Sequence, residues 1–85
     1  MSYHVEVVRS AQKALKRLPA EYRARISQAV LALGDDSRPA GCRKLSGSDM
    51  WRIRLGEYRV LYTVSDTLRQ VMVQRIERRT THTYD

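Results

Sequence analysis

Three arginines within eight residues, Arg52, Arg54 and Arg59, are placed where a chain could do chemistry on an anion. They belong to the stretch WRIRLGEYRVLY, residues 51–62, in which Trp51, Ile53 and Leu55 alternate with Arg52 and Arg54. Side chains on a strand have a period of two, so the two arginines share one face and the apolar residues take the other. Guanidinium groups are planar, permanently charged and able to hold a phosphate through two parallel hydrogen bonds. Arg75, Arg78 and Arg79 follow on a neighbouring strand and can converge on the same surface. Tyr58, Tyr62 and Tyr84 offer rings on which bases could stack. Any one of these arginines alone reads as an exposed position on a half-buried strand. The set reads as a site for a polyanion such as RNA.

The remaining residue types argue against other chemistries. His4, Cys42 and His82 do not stand at zinc-ligand spacing. The chain has no nucleophile elbow and no phosphate-cradling glycine loop, so neither a metal nor a cofactor is expected.

The elements that must carry the arginines can be read from periodicity. Tyr3 to Val8 reads as a first strand, with Tyr3, Val5 and Val7 on one face. Ser10 is a candidate N-cap for a helix over Ala11–Leu18, and Pro19 closes that helix and opens the next. The second helix runs to Leu33, with Tyr22, Ile26, Ala29, Val30 and Leu33 as its apolar stripe, and Gly34 falls at the C′ position. Its other face carries Arg23, Arg25 and Gln28 and reads as solvated. Residues 35–49 form a loop rich in Gly, Pro, Ser and Asp. A hairpin follows with a Gly-Glu turn, and then a last strand over Leu68–Ile76, in which Val71, Met72 and Val73 are continuous as in a strand buried on both faces. The order β-α-α-β-β-β predicts an α+β fold, a helical hairpin laid on an antiparallel sheet with the arginine face left open.

At 85 residues the chain reads as one domain over 1–85. Net charge is +7, from 16 Lys and Arg against 9 Asp and Glu, and lysine occurs only at Lys13, Lys16 and Lys44. That balance favours acidic partners. Cys42 is the only cysteine, which fits a reducing, cytoplasmic setting. No apolar run is long enough to span a membrane, and no membrane partner is expected.

The strings RKLSGSD, WRIRLGEYRVLYTVSD and RIERRTTHTY, with LKRLPAEYRARI upstream, resemble the RelE branch of the RelE/ParE toxin superfamily over nearly the whole chain. The resemblance implies a microbial-RNase-like sheet with two N-terminal helices. It also implies the toxin of a type II toxin–antitoxin system, a ribosome-dependent endoribonuclease that cuts mRNA in the A site. Its implied partners are a cognate antitoxin, the ribosome and mRNA. By the same resemblance, Arg52 and Arg54 take two basic positions that are lysines in the best-studied pattern. Arg59 takes the arginine opening the third strand. Arg79, or alternatively Arg78, takes the arginine after the last strand, and Tyr84 takes the C-terminal tyrosine. Arg43, Lys44, Arg75, Arg78 and His82 complete the set as RNA-binding candidates.

Proton transfer is left open at this stage. Arginine stays protonated and tyrosine titrates near 10, whereas His82, beside Tyr84, titrates near neutrality. Two rival readings are a ParE-like inhibitor of DNA gyrase and a basic RNA-binding module without catalysis.

Overall fold

The structure is a computed structural model that describes residues 2–79. The chain opens with β1 (His4–Val7), α1 (Arg9–Lys16) and α2 (Ala20–Ala32). Four strands follow: β2 (Arg43–Lys44), β3 (Trp51–Leu55), β4 (Tyr58–Ser65) and β5 (Gln70–Arg78). They form one sheet in the order β1-β5-β4-β3-β2. The α+β class agrees with expectation, and the sheet differs in two respects: β2 lies within the stretch 35–49 expected to be a loop, and not every pairing is antiparallel. β1 pairs with β5 in parallel, while the other three pairings are antiparallel. Parallel neighbours need a long connection, and here everything from α1 to β4 supplies it.

Both helices cover one sheet face. Ala11 of α1, Ile26 and Val30 of α2, and Leu33 pack against Ile53, Val60 and Val73. Tyr58 sits edge-on to Tyr22 with ring centroids 4.8 Å apart. The helical stripes therefore face where their spacing predicts, and Arg23, Arg25 and Gln28 are exposed. The ends are set by local chemistry. The residue before a proline avoids the helical region, so α1 stops short of Pro19. Pro19 is the N-cap of α2, and its carbonyl accepts from the Arg23 N–H at 2.9 Å. Ser10 is not a cap: α1 begins at Arg9, with Val8 at the N-cap and no side-chain capping bond.

Gly34 occupies the C′ position of α2, for a different reason than a left-handed turn. The positive-φ glycines are Gly41, Gly47 and Gly56, and Gly34 is not among them. A Cβ on Gly34 would stand 3.0 Å from the Tyr3 carbonyl oxygen, while the Tyr3 N–H donates to the Gly34 carbonyl at 2.6 Å. The glycine is needed because β1 enters right against the end of α2. Gly56, at φ +59 in the two-residue β3–β4 loop, does require the left-handed region, as a tight hairpin does.

Residues 35–42 are held down at the end of the sheet opposite that hairpin. Arg38 grips Asp66 with Nη1–Oδ1 at 3.2 Å and Nη2–Oδ2 at 2.9 Å, and the Tyr3 hydroxyl donates to Asp66 Oδ1 at 2.6 Å. The Arg38 guanidinium also lies over the Trp51 ring, 5.1 Å from its centroid. The Tyr62 hydroxyl donates to the Ser37 carbonyl at 2.8 Å, and burial pushes that phenol well above its usual range. This clasp ties β1, β3, β4 and the loop together and leaves the hairpin end of the sheet for other uses.

Candidate functional site

Cross-strand partners share a sheet face, so the register states which side chains meet. Arg54 on β3 stands opposite Arg59 on β4, and Arg59 stands opposite Glu77 on β5. The next row is Arg43, Arg52, Leu61 and Arg75. Both rows lie on the face away from the helices. Arg79, one residue past β5, keeps the parity of Arg75 and Glu77, and its N–H donates to the Glu57 carbonyl at 2.6 Å, which holds it at the hairpin end. The structure thus gathers Arg43, Arg52, Arg54, Arg59, Arg75 and Arg79 on one side of the sheet.

Arg78 and Lys44 are not in this group. Arg78 pairs with Tyr58 and Lys44 with Trp51, which puts both on the helix-bearing side. Arg78 Nη2 lies 3.3 Å from Glu57 Oε2. Tyr58 and Tyr62, offered as stacking platforms, are core residues at 8% and 0% exposure. Their rings are on the apolar face because they alternate with Arg59 and Leu61. His82 and Tyr84 lie outside the described residues.

A β-bulge makes this grouping. Leu61 pairs with Arg75 but Tyr62 pairs with Val73, leaving Gln74 as the extra residue of β5. Val71 and Val73 point into the core before it; Ile76 points into the core after it. The parity switch turns Arg75 and Glu77 outward, where an unbroken alternation would bury them. The run Val71-Met72-Val73 lies before the bulge and follows plain alternation: Met72 is on the arginine-bearing face, paired with Thr63, and only half-buried.

The face is not uniformly open, which corrects the expectation for Arg52. Arg52 is 5% exposed, flanked in its row by Leu61, the one buried hydrophobic residue among those described that lies outside the main core cluster. Arg54 is exposed. Two like charges directly opposite one another, as in the Arg54–Arg59 pair, repel. Glu77 offsets that repulsion: Arg59 Nε donates to Glu77 Oε1 at 2.7 Å and Nη2 approaches the same oxygen at 2.6 Å. Arg75 Nε reaches Oε2 at 3.4 Å. Charge-assisted pairs of this kind are the strong ones, and they fix the Arg59 fork in place. Glu77 is the residue that sequence reasoning missed. Its signal was two-residue parity with Arg75 and Arg79, visible only once the bulge is known. A cleft of about 300 Å³ between α1 and Gln74–Glu77 borders this corner of the sheet.

Chemically, the surface offers permanent donors around one half-exposed carboxylate. Among the described residues no group of three or more His, Cys, Asp and Glu is placed to hold a metal ion, and no helix is long and apolar enough to cross a membrane.

Comparison with known proteins agrees with this architecture. Residues 5–82 match a family described as the ParE toxin of the type II toxin–antitoxin system parDE. A relative from Methanocaldococcus jannaschii bearing the name "Putative toxin RelE1" is 30% identical, over 93% of this chain and 92% of its own length. Among solved structures, the RelE–RelB complex of Pyrococcus horikoshii OT3 superposes with a TM-score of 0.85 at 29% identity, covering 95% of this chain and 99% of that one. The isolated E. coli RelE toxin shares the fold, with a TM-score of 0.81 at 23% identity over 93% of this chain and 86% of that one. A match of nearly full length to the family and a relative that runs along almost the entire chain place this protein in the RelE/ParE family of type II toxin–antitoxin toxins.

Proposed function

We propose that this toxin is a ribosome-dependent mRNA interferase, an endoribonuclease that uses the neighbouring 2′-hydroxyl as nucleophile. The observation that carries the reading is the arginine-rich face at the hairpin end, with Arg54, Arg59 and Glu77 in one row and Arg52 and Arg75 in the next. Attack of a 2′-oxygen on phosphorus builds a doubly negative phosphorane. Fixed cationic donors stabilise charge that develops in a transition state, and they cost no reorganisation when they are already held in place. Arg59, locked by Glu77, and Arg79, anchored by its backbone, fit that role. Arg52 and Arg54 extend the grip, and Arg43 and Arg75 suit flanking phosphates. Tyr84 and His82 remain proposed contributors from the C-terminal segment. Guanidinium groups do little proton transfer, so the chemistry leans on a substrate already aligned; the ribosomal A site supplies that alignment.

The cognate partner is an antitoxin, by analogy with the archaeal RelE that was crystallised with RelB. The protein acts in the cytoplasm, where mRNA and ribosomes are.

The test is in-vitro translation with toeprinting. Wild type is expected to give discrete cuts within codons in the A site. Arg59→Ala should lower single-turnover cutting by roughly 10²–10³-fold, the loss seen when one preorganised donor is removed from a charged transition state. Full cutting by that variant would overturn the assignment. A second reading, gyrase inhibition, is favoured by the description of the matching family as a ParE toxin. It predicts blocked supercoiling by DNA gyrase and no cuts in mRNA.

A further inference from the structure

Building on the interferase reading, we propose that Glu77 is the general base of the reaction, the group that takes the proton from the attacking 2′-hydroxyl. The arginines cannot do this, because a guanidinium stays protonated at any working pH. A carboxylate can, and Glu77 stands in the row with Arg54 and Arg59, where the scissile phosphate would be held. Of the other described acids, Glu21 is on α2, and Asp35, Asp36 and Asp49 lie in the stretch between α2 and β3. Glu57, in the β3–β4 turn, is engaged by Arg78. Asp66 is locked in the clasp at the far end. Glu6 lies on β1, opposite Met72 and bonded to His4 at 3.1 Å.

The geometry of Glu77 suits the task. Its side chain is 28% exposed, so it is reachable from solvent yet held. Arg59 occupies Oε1 through both of its contacts, whereas Arg75 stands 3.4 Å from Oε2, longer than a usual N–H···O bond. Oε2 is thus the oxygen that a ribose hydroxyl can approach. The same Arg59 that orients the carboxylate can reach the phosphate beside it, which places base and electrophile about one side chain apart.

The step balances without any further reagent. The 2′-hydroxyl gives its proton to Glu77 Oε2 while its oxygen bonds to phosphorus. The bond from phosphorus to the 5′-oxygen breaks, and that oxygen takes a proton from water. Glu77 returns its proton to the hydroxide left behind. The products are a 2′,3′-cyclic phosphate and a 5′-hydroxyl end.

The experiment is single-turnover cutting of mRNA on programmed ribosomes from about pH 3.5 to 8, a window that includes the ordinary carboxylate range, with wild type, Glu77→Gln and Glu77→Asp, alongside measured ribosome affinity. Wild-type rates should rise with pH through the carboxylate range and level off. Glu77→Gln should bind ribosomes as wild type does, cut roughly 10²–10⁴-fold more slowly, and lose the acid limb of the profile. A Gln variant that cuts within about threefold of wild type overturns the base assignment. So does one that is slowed but keeps the wild-type acid limb, since Glu77 would then only position Arg59. Should the Gln variant fail to fold by circular dichroism, Glu77→Asp decides. It keeps the charge but draws the carboxylate back, so slowed cutting with intact ribosome affinity supports the base, and wild-type cutting overturns it. If Glu77→Gln cuts freely while Arg59→Ala does not, the interferase reading survives without this base. If wild type makes no cuts, that reading falls and the base falls with it.

Discussion

At the scale of single residues, adjacent Arg78 and Arg79 show how much a half-turn of backbone decides. Both close the same string, RIERR, and their chemistry is identical. Arg78 shares a register position with Tyr58 and engages Glu57, whereas Arg79 keeps the parity of Glu77. Arg79→Ala is therefore expected to cut mRNA roughly 10²–10³-fold more slowly. Arg78→Ala should change cutting by no more than about fivefold, the ~1 kcal/mol that a surface ion pair carries. Equal losses in a side-by-side toeprint series would contradict the placement. Alternation made the split of Arg52 and Arg54 from Ile53 legible in the sequence. The burial of Arg52 was not, because the residues beside it, Arg43 and Leu61, come from different strands and owe their places to register. Glu77 went unread for the same reason: its value lies in being opposite Arg59, and pairing across strands leaves no mark on either strand alone.

At the scale of elements, the helices and the β3–β4 hairpin could be read directly, since long periodic stretches and a Gly-containing two-residue turn are local signals. The two-residue strand β2 has no periodicity to read, and its pairing with β3 is what defines it. The clasp at the far end was likewise invisible, built from Tyr3, Arg38, Trp51 and Asp66, which are far apart in sequence. Its acid behaviour follows from Asp66. The hydrogen bonds from Arg38, and then from Tyr3, hold the Asp66 carboxyl below its ordinary 3.8. The unfolded chain thus binds the proton more tightly, so this contribution to stability is complete above about pH 5 and is lost as pH falls through the lowered folded value. Urea unfolding followed between about pH 6 and 2 should show a shallower acid decline for Asp66→Asn than for wild type. An identical decline in both would mean that other carboxylates set the acid limit.

At the scale of the whole molecule, a net charge of +7 sits on a chain whose apolar residues are drawn to the helix-covered side of the sheet. Its association with anionic partners should then begin as long-range attraction. Raising salt from about 0.05 M to 0.3 M shortens the screening length from roughly 14 Å to 6 Å and should weaken binding at least tenfold. Affinity that ignores salt, in a titration by fluorescence anisotropy, would direct attention to an apolar contact instead. The bulge at Gln74 bears on how such a chain can change over evolution. It acts as a phase shifter between two halves of one strand: the valines before it and the charged residues after it face opposite sides although an even number of positions separates them. Losing Gln74 alone would leave a regular ladder, with Val73 and Ile76 still turned to the core and Arg75 and Glu77 still turned outward. Losing two residues between Val73 and Ile76 would exchange the inside for the outside, sending Ile76 to water and Glu77 to the core. Length in this segment is therefore constrained, and homologues one residue shorter here should keep the same faces and lack the bulge.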